Sequence, residues 1–177
     1  GVVGAGYVGR AVLRLLAPFD VNRLVYDPFL SEEAAASLRA RKVSLEELMR
    51  TADVVTLHAP KLPTTYHMIN ESNLALLKEG ALLINTARGS LIDEEALVRR
   101  LKKGDIAAWL DVTDPEPPAA DHPFRSLENV VLTPHIAGGV NNGRQRLGRL
   151  ALEELRAHLK GEPPIYPVDL SRLDTIA

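Results

Sequence analysis

The stretch VVGAGYVG, residues 2–9, decides the fold of this protein. Its glycines follow the spacing G-x-G-x-x-G, two apolar residues precede them, and a helical pattern follows over 10–16. In a strand–turn–helix unit with this spacing, Gly4 permits the tight turn, Gly6 leaves room for a pyrophosphate and Gly9 lets the helix pack on the sheet. The free N–H groups at the start of that helix attract phosphate. The stretch therefore predicts a dinucleotide site.

An acidic residue stands where such a site needs one. Asp27 ends a predicted strand and follows Gly9 at close to the ~20 positions typical of dinucleotide-binding units. Its carboxylate would accept hydrogen bonds from the adenosine ribose hydroxyls and repel a 2′-phosphate, and the next residues, 28–30, offer no arginine. We therefore predict NAD rather than NADP as the cofactor. The alternative is a structural glycine turn with an incidental aspartate.

The rest of the chain alternates apolar runs with helical periodicity, which is typical of parallel strands joined by crossover helices. Predicted strands cover 24–26, 54–57, 81–85, 106–110 and 130–133, and predicted helices cover 10–16, 31–40, 44–49, 93–104 and 141–161. We expect Ser31 and Asp93 to cap their helices, and Ser44 to form a capping box with Glu47. Trp109 is expected in the core. The predicted fold class is α/β, a Rossmann-type doubly wound parallel sheet with helices on both faces.

Length and composition favour a single globular domain. The chain has 177 residues, 46% of them hydrophobic and 25% charged, with a net charge of −2, and a chain of this size buries roughly two-thirds of its unfolded surface. The balanced charge predicts no nucleic acid and no membrane as partners, and no apolar run reaches the ~18 residues of a membrane span. With no cysteine and no paired spacing among the five histidines, we predict no metal site. A cytoplasmic location is expected.

Both ends of the sequence suggest a domain of a longer protein. Only two apolar residues precede the glycine turn, whereas strands usually have ~5–6 residues. We therefore expect the natural chain to begin earlier, and a very short first strand is the alternative. We assign 1–161 to an NAD-binding Rossmann domain and 162–177, which lack periodicity, to a connector that leaves this domain.

Charged side chains follow three of the predicted strands. Arg88 comes after strand 81–85, His135 after strand 130–133, and Asp111, Asp114 and Glu116 after strand 106–110. Because the carboxyl ends of parallel strands meet at the ligand crevice of an open sheet, we expect these side chains to gather beside the glycine turn.

These types of side chain suit the reduction of a 2-oxo acid by hydride transfer. A guanidinium holds a carboxylate through two hydrogen bonds, an imidazole donates a proton to the developing alkoxide, and a neighbouring carboxylate favours the charged ring. Arg88, His135 and Glu116 are the candidates for these catalytic roles. Asp114, in the same proline-rich loop, is the alternative to Glu116.

Five stretches together resemble the NAD-binding domain of the D-isomer-specific 2-hydroxyacid dehydrogenases, the family of D-lactate, D-glycerate and 3-phosphoglycerate dehydrogenases. They are VGAGYVG at 3–9, HAPKLPTTYHMIN at 58–70, LINTARG at 83–89, LDVTDPEP at 110–117 and LTPHIAG at 132–138. The chain departs from the family's pattern at 61–62, at Thr113 and at 140–141. These departures concern the substrate and fine cofactor contacts.

The resemblance implies roles for individual residues. Arg88 would bind the substrate carboxylate, His135 would be the acid/base and Glu116 would pair with it. Asp111 would contact the nicotinamide carboxamide, although capping of its loop is the alternative. The implied cofactor contacts are Gly4, Gly6, Tyr7, Val8, Gly9, Asp27, His58, Ala59, Pro60, Thr65, Thr86, Ala87, Arg88, Asp111, His135 and Gly138. For His58, packing within its loop is the alternative.

The resemblance also implies an arrangement and leaves two rival functions. In this family the cofactor domain is inserted into a smaller substrate domain, which would be largely missing here, and a homodimer forms through the cofactor domains. One rival is a dinucleotide-sensing corepressor on the same fold. The other is an adenosylhomocysteine-hydrolase-like enzyme, against which the set of Arg88, Glu116 and His135 argues.

Overall fold

Parallel strands form one seven-stranded sheet in the computed structural model, which describes residues 1–172 and 175. The strands are β1 (Val2–Val3), β2 (Leu24–Tyr26), β3 (Arg41–Lys42), β4 (Val54–Leu57), β5 (Leu82–Asn85), β6 (Ala107–Leu110) and β7 (Val130–Leu132). Their order is β3-β2-β1-β4-β5-β6-β7, and every neighbouring pair is parallel. The strand order reverses between β1 and β4, which is the switch point where open α/β sheets bind ligands.

Six α-helices flank these strands in the described part of the chain; the first five connect β1 to β6 in turn, and the last follows β7. They are α1 (Tyr7–Leu15), α2 (Glu32–Ser37), α3 (Leu45–Thr51), α4 (Glu71–Leu74), α5 (Glu94–Leu101) and α6 (Asn142–Leu159). As predicted, the side chains of Ser31, Ser44 and Asp93 accept a backbone N–H in the first turn of α2, α3 and α5. None of the helices among residues 1–172 is long and apolar enough to cross a membrane.

The buried side chains form two clusters, which confirms that helices cover both faces of the sheet. One cluster joins Val55, Leu57 and Leu83 of the strands to residues of α3, α4 and α5. The other cluster lies on the opposite face of the sheet. It joins Val2 and Val25 to residues of α1 and α2. The predicted α/β class and its doubly wound topology are therefore confirmed.

Three local predictions need correction, and two short elements were missed. Helix α2 ends at Ser37 rather than at residue 40, because Arg39 adopts a left-handed conformation (φ 53°) and leads into β3. Only half of the capping box at Ser44 is formed. The Ser44 side chain accepts the N–H of Glu47, but the Glu47 carboxylate lies 2.6 Å from the guanidinium of Arg41 instead of the N–H of Ser44. Trp109 is 51% exposed and therefore not a core residue. The elements β3 and α4, of two and four residues, were not predicted.

Candidate functional site

The glycine turn between β1 and α1 requires glycine at two positions for its own packing. Gly4 has φ +92°, and a Cβ there would lie 2.6 Å from the backbone nitrogen of Ala59. A Cβ on Gly9 would lie 2.0 Å from the carbonyl oxygen of Gly4. A Cβ on Gly6, by contrast, would meet no atom within 4 Å. Gly6 therefore borders open space, and the packing of the chain does not explain a glycine there.

The surroundings of Gly6 fit the phosphates and ribose of a dinucleotide. Gly6 is the N-cap of α1, and no side chain of the described residues caps this helix end, which leaves its amide groups available to an anion. Asp27 accepts hydrogen bonds from Ala5 N (2.7 Å) and Phe29 N (2.8 Å). Its carboxylate is therefore fixed at the end of β2 beside the turn, where a ribose attached to the pyrophosphate would lie.

The loop after β4 forms a second wall of this turn. Ala59 contacts Gly4 closely, and Nε2 of His58 lies 3.0 Å from the hydroxyl oxygen of Thr56. Burial lowers the pKa of His58, so this ring is neutral at neutral pH. The hydroxyl of Thr65 donates to Pro60 O (2.6 Å) and closes its own loop. Direct contacts of His58, Pro60 and Thr65 with the cofactor remain predictions.

A buried asparagine that sequence reasoning missed shapes the turn that carries Arg88. The Asn85 side chain is fully buried, accepts from Ala87 N (3.0 Å) and donates to Arg88 O (2.9 Å). Gly89 then packs so closely on the next loop that a Cβ there would lie 2.0 Å from the carbonyl carbon of Thr113. Arg88 itself is exposed. The turn after β5 and the loop after β6 are therefore in direct contact.

Asp111 at the end of β6 holds the loop after β7. Its carboxylate accepts from the N–H groups of Ile136 and Ala137, both at 2.8 Å, and from the hydroxyl of Thr133. Burial alone would raise the pKa of Asp111, but these hydrogen bonds and the nearby His135 hold it below its ordinary value. The geometry thus favours the loop-capping alternative, and the contact with the nicotinamide carboxamide remains a prediction.

The imidazole of His135 is paired with Glu116. The loop that Asp111 fixes presents His135 in a left-handed conformation (φ 53°), and its Nδ1 lies 2.6 Å from Oε1 of Glu116. Because a carboxylate only accepts hydrogen bonds, Nδ1 carries the proton and Nε2 is left for a substrate. The alternative partner Asp114 contacts Glu94 through its backbone N–H (2.8 Å), and among the described residues only the carboxylate of Glu116 pairs with His135. The structure therefore favours Glu116 over Asp114.

The candidate residues gather at the carboxyl edge of the sheet. His135 and Glu116 line a cavity of about 430 Å³ formed by the loops after β6 and β7. Arg88 follows β5 at the same edge, but its guanidinium donates to the carbonyl oxygen of Ala87 (2.6 Å) and does not line this cavity. Gly6 and Asp27 follow β1 and β2 at this edge. Thr86 is exposed and Ala87 is partly buried in the turn before Arg88, and Gly138 follows the His135 loop as an exposed residue.

Comparisons with known proteins identify the family of this chain. Residues 1–137 match the family profile described as D-isomer specific 2-hydroxyacid dehydrogenase, NAD binding domain. The chain is 44% identical over 166 residues to a glyoxylate reductase from Thermofilum pendens, covering 93% of this chain and 49% of that protein. It is 40% identical over 164 residues to a D-3-phosphoglycerate dehydrogenase from Methanocaldococcus jannaschii, covering 92% of this chain and 31% of that protein.

A solved structure shows the same fold. D-lactate dehydrogenase with NAD⁺ from Lactobacillus jensenii superposes with a TM-score of 0.84 at 29% identity, covering 96% of this chain and 55% of that one. The chain thus spans between about a third and a half of the length of the curated relatives that it matches.

Proposed function

Because the chain belongs to the D-isomer specific 2-hydroxyacid dehydrogenase family, as an NAD-binding domain, we propose that its protein is an NAD-dependent oxidoreductase acting on a D-2-hydroxy acid and its 2-oxo acid. The observation that carries this proposal is the 2.6 Å contact between Nδ1 of His135 and Oε1 of Glu116. This pair lies at the edge of the sheet that also carries the glycine turn and Arg88, as an acid/base beside a nicotinamide requires.

The proposed mechanism assigns one task to each side chain. The glycine turn and Asp27 would hold NAD, which would supply or accept the hydride at its nicotinamide ring. Arg88 binds the carboxylate of the substrate and orients its C2 atom. His135 donates a proton from Nε2 to the alkoxide that forms during reduction and removes it during oxidation. Glu116 accepts a hydrogen bond from Nδ1–H of His135, which fixes the ring and leaves Nε2 toward the substrate.

We extend the proposal to the assembly of the whole protein. We propose that the whole protein has a separate substrate domain and forms a homodimer through its cofactor domains. The leucines at 147, 152, 155 and 159 of α6 are each more than half exposed, which gives this helix apolar surface for contact with another part of the assembly. Sedimentation of the full-length protein measures the oligomeric state, and a monomer would contradict the dimer.

A panel of 2-oxo acids tests the activity directly. The full-length protein is mixed with NADH and glyoxylate, hydroxypyruvate, pyruvate or phosphohydroxypyruvate, and NADH oxidation is followed by absorbance. We expect turnover with at least one of these acids. Tight NADH binding without oxidation by any of them would instead favour a dinucleotide-sensing binding protein on this fold.

Substitution of Asp27 tests the choice of cofactor. Asp27→Ala should reduce the preference for NADH over NADPH by roughly 10-fold or more, because the variant loses ribose hydrogen bonds worth about 1.5–3 kcal/mol each to a charged group and also the repulsion of a 2′-phosphate. The ratio of the two dissociation constants measures this effect. Asp27→Asn, which can still accept from Ala5 N, separates the charge from the hydrogen bond. An unchanged ratio in both variants would remove Asp27 from the ribose site.

Two alanine substitutions in the glycine turn should affect different properties, NADH binding in one variant and stability in the other. Gly6→Ala should leave the free energy of unfolding within about 0.5 kcal/mol of the wild type but weaken NADH binding at least roughly 10-fold, because its methyl group occupies the space proposed for the pyrophosphate. Gly9→Ala should cost roughly 1–3 kcal/mol of stability, because its methyl group has no room. Thermal unfolding and a fluorescence titration with NADH distinguish the two. Undiminished NADH affinity in Gly6→Ala would contradict the assignment.

A further inference from the structure

We propose that Glu94 is a positioning residue for the catalytic pair. Its carboxylate holds the loop after β6 at two points, one on each side of Glu116, and through this loop it orients Glu116 toward His135. The inference rests on the proposed dehydrogenase function, in which Glu116 and His135 act together. It adds a residue outside the active-site cavity to the machinery that aligns the acid/base.

The two contacts of Glu94 flank Glu116 along the chain. Oε1 accepts the backbone N–H of Asp114 at 2.8 Å, two residues before Glu116. Oε2 lies 3.4 Å from Nε2 of His122, six residues after it. The side chains of Glu94 and His122 are only 13% and 19% exposed. A single carboxylate at the start of α5 therefore ties together both halves of the loop.

The ring of His122 is oriented to donate to Glu94. Its Nδ1 accepts the N–H of Phe124 at 3.3 Å, so the ring proton lies on Nε2, toward Glu94. The ring also contacts that of Phe124, with centroids 4.5 Å apart, and Phe124 is buried. Arg125 holds the intervening segment by donating to the carbonyl oxygens of Pro118 and Ala119, both at 2.9 Å. The loop is thus fixed around Glu116.

No lysine or arginine among the described residues pairs with the carboxylate of Glu94. Glu95 and Arg99 of α5, and Asp114 and His122 of the loop, line a cavity of about 420 Å³ with Glu94. The guanidinium of Arg99 is paired with Glu71 at 3.2 Å. Burial raises the pKa of Glu94 to about 7; the N–H of Asp114 opposes this rise and the carboxylate of Asp114 adds to it.

Protonation of Glu94 would change the hydrogen bonds of this anchor near neutral pH. A proton on Oε2 would face the Nε2–H of His122, and two donors cannot bond to each other. The hydrogen bond from Asp114 N would also become weaker, because a neutral carboxyl is a poorer acceptor than a carboxylate. We expect both anchors to form together only with the ionised carboxylate, that is, above pH 7.

The same pKa means that the ionised Glu94 lowers the stability of the fold. Its pKa in the folded chain, about 7, lies above the ordinary value of 4.5. The folded state therefore binds more protons than the unfolded state between these values, and its stability falls as pH rises through this window. A charge that reduces stability is expected where it serves function rather than folding.

The test compares Glu94→Gln with Glu95→Gln in the full-length protein. The Glu94→Gln side chain keeps an acceptor for Asp114 N and has the shape of the protonated acid, but its amide cannot satisfy both anchors. We expect kcat to fall about 10-fold at pH 8 and the ratio of wild type to variant to approach one at pH 6, where Glu94 of the wild type is itself protonated. KM and NADH affinity should stay within twofold. Glu95, whose side chain is 92% exposed, provides the matched control and should leave kcat unchanged.

A spectroscopic readout separates this inference from the proposed function. The Nδ1 proton of His135, bonded to a carboxylate, should give a far-downfield proton NMR signal that weakens or moves upfield in Glu94→Gln at pH 8. This signal can be measured even if the protein reduces no 2-oxo acid. An unchanged signal, or a kcat ratio that does not depend on pH, would overturn the positioning role. His122→Phe provides a second variant, and its effect on kcat should not add to that of Glu94→Gln.

Discussion

Replacement of His135 by alanine is expected to lower kcat of the full-length protein by roughly 10²–10⁴-fold, the contribution typical of a positioned acid/base. NADH binding should be preserved, because Asp111 holds this loop through the backbone N–H groups of Ile136 and Ala137 and through Thr133, not through the imidazole. Single-turnover reduction of a 2-oxo acid, with a fluorescence titration of NADH, measures both quantities.

The backbone at His135 calls for a second variant. Its φ of 53° lies in the left-handed region, which asparagine tolerates better than alanine. His135→Asn should therefore fold as well as the wild type and still lose the same factor in kcat. His158→Ala, on the exposed part of α6, serves as the control and should retain full activity. Substantial turnover in His135→Asn would show that another group transfers the proton.

Removal of Arg88 is expected to have the second largest effect. Arg88→Ala should raise KM and lower kcat, with kcat/KM falling roughly 10²-fold or more, because a misplaced carboxylate removes both affinity and the alignment of C2 with the nicotinamide. The fold should survive, since Asn85 binds the backbone of this turn and the Arg88 side chain is exposed. Steady-state kinetics with the best 2-oxo acid of the panel provide the measurement.

Two further variants test whether the geometry of the guanidinium matters and provide a control for Arg88→Ala. Arg88→Lys keeps the positive charge but loses the planar, two-point contact with a carboxylate, so it should recover only part of the lost kcat/KM. Arg50→Ala removes an exposed arginine at the end of α3 and should change neither constant. Kinetics of Arg88→Ala that match those of Arg50→Ala would exclude Arg88 from the substrate site.

The elements that were predicted correctly and those that were missed differ in length and in the range of their interactions. The helix caps at Ser31, Ser44 and Asp93 bond within three residues of themselves, so the local sequence was sufficient. Strand β3 and helix α4 have two and four residues, too few for a periodic pattern. The alanine-rich sequence predicted too long an α2, because propensity does not reveal the left-handed residue at which the helix ends.

In the candidate site, too, the local features were predicted and the long-range contacts were not. The spacing of the glycines, and the charged residues that follow successive strands, predicted which side chains gather at one edge of the sheet. The contacts that orient them were not predictable, because Asp111 binds residues more than twenty positions away and Glu94 binds Asp114 at a separation of 20. Asn85 gave no signal either, since asparagine is also a typical residue of turns.

The sequence by itself determined the parallel sheet, the dinucleotide turn and the types of side chain at the carboxyl edge, because strand periodicity and glycine spacing act over a few neighbouring residues. Only the tertiary structure decided that Glu116 rather than Asp114 pairs with His135, that Asp111 fixes the loop that carries the imidazole and that Glu94 holds the loop opposite it. These choices depend on hydrogen bonds a few ångströms long between segments far apart in the chain, and such distances exist only once the strands have assembled side by side.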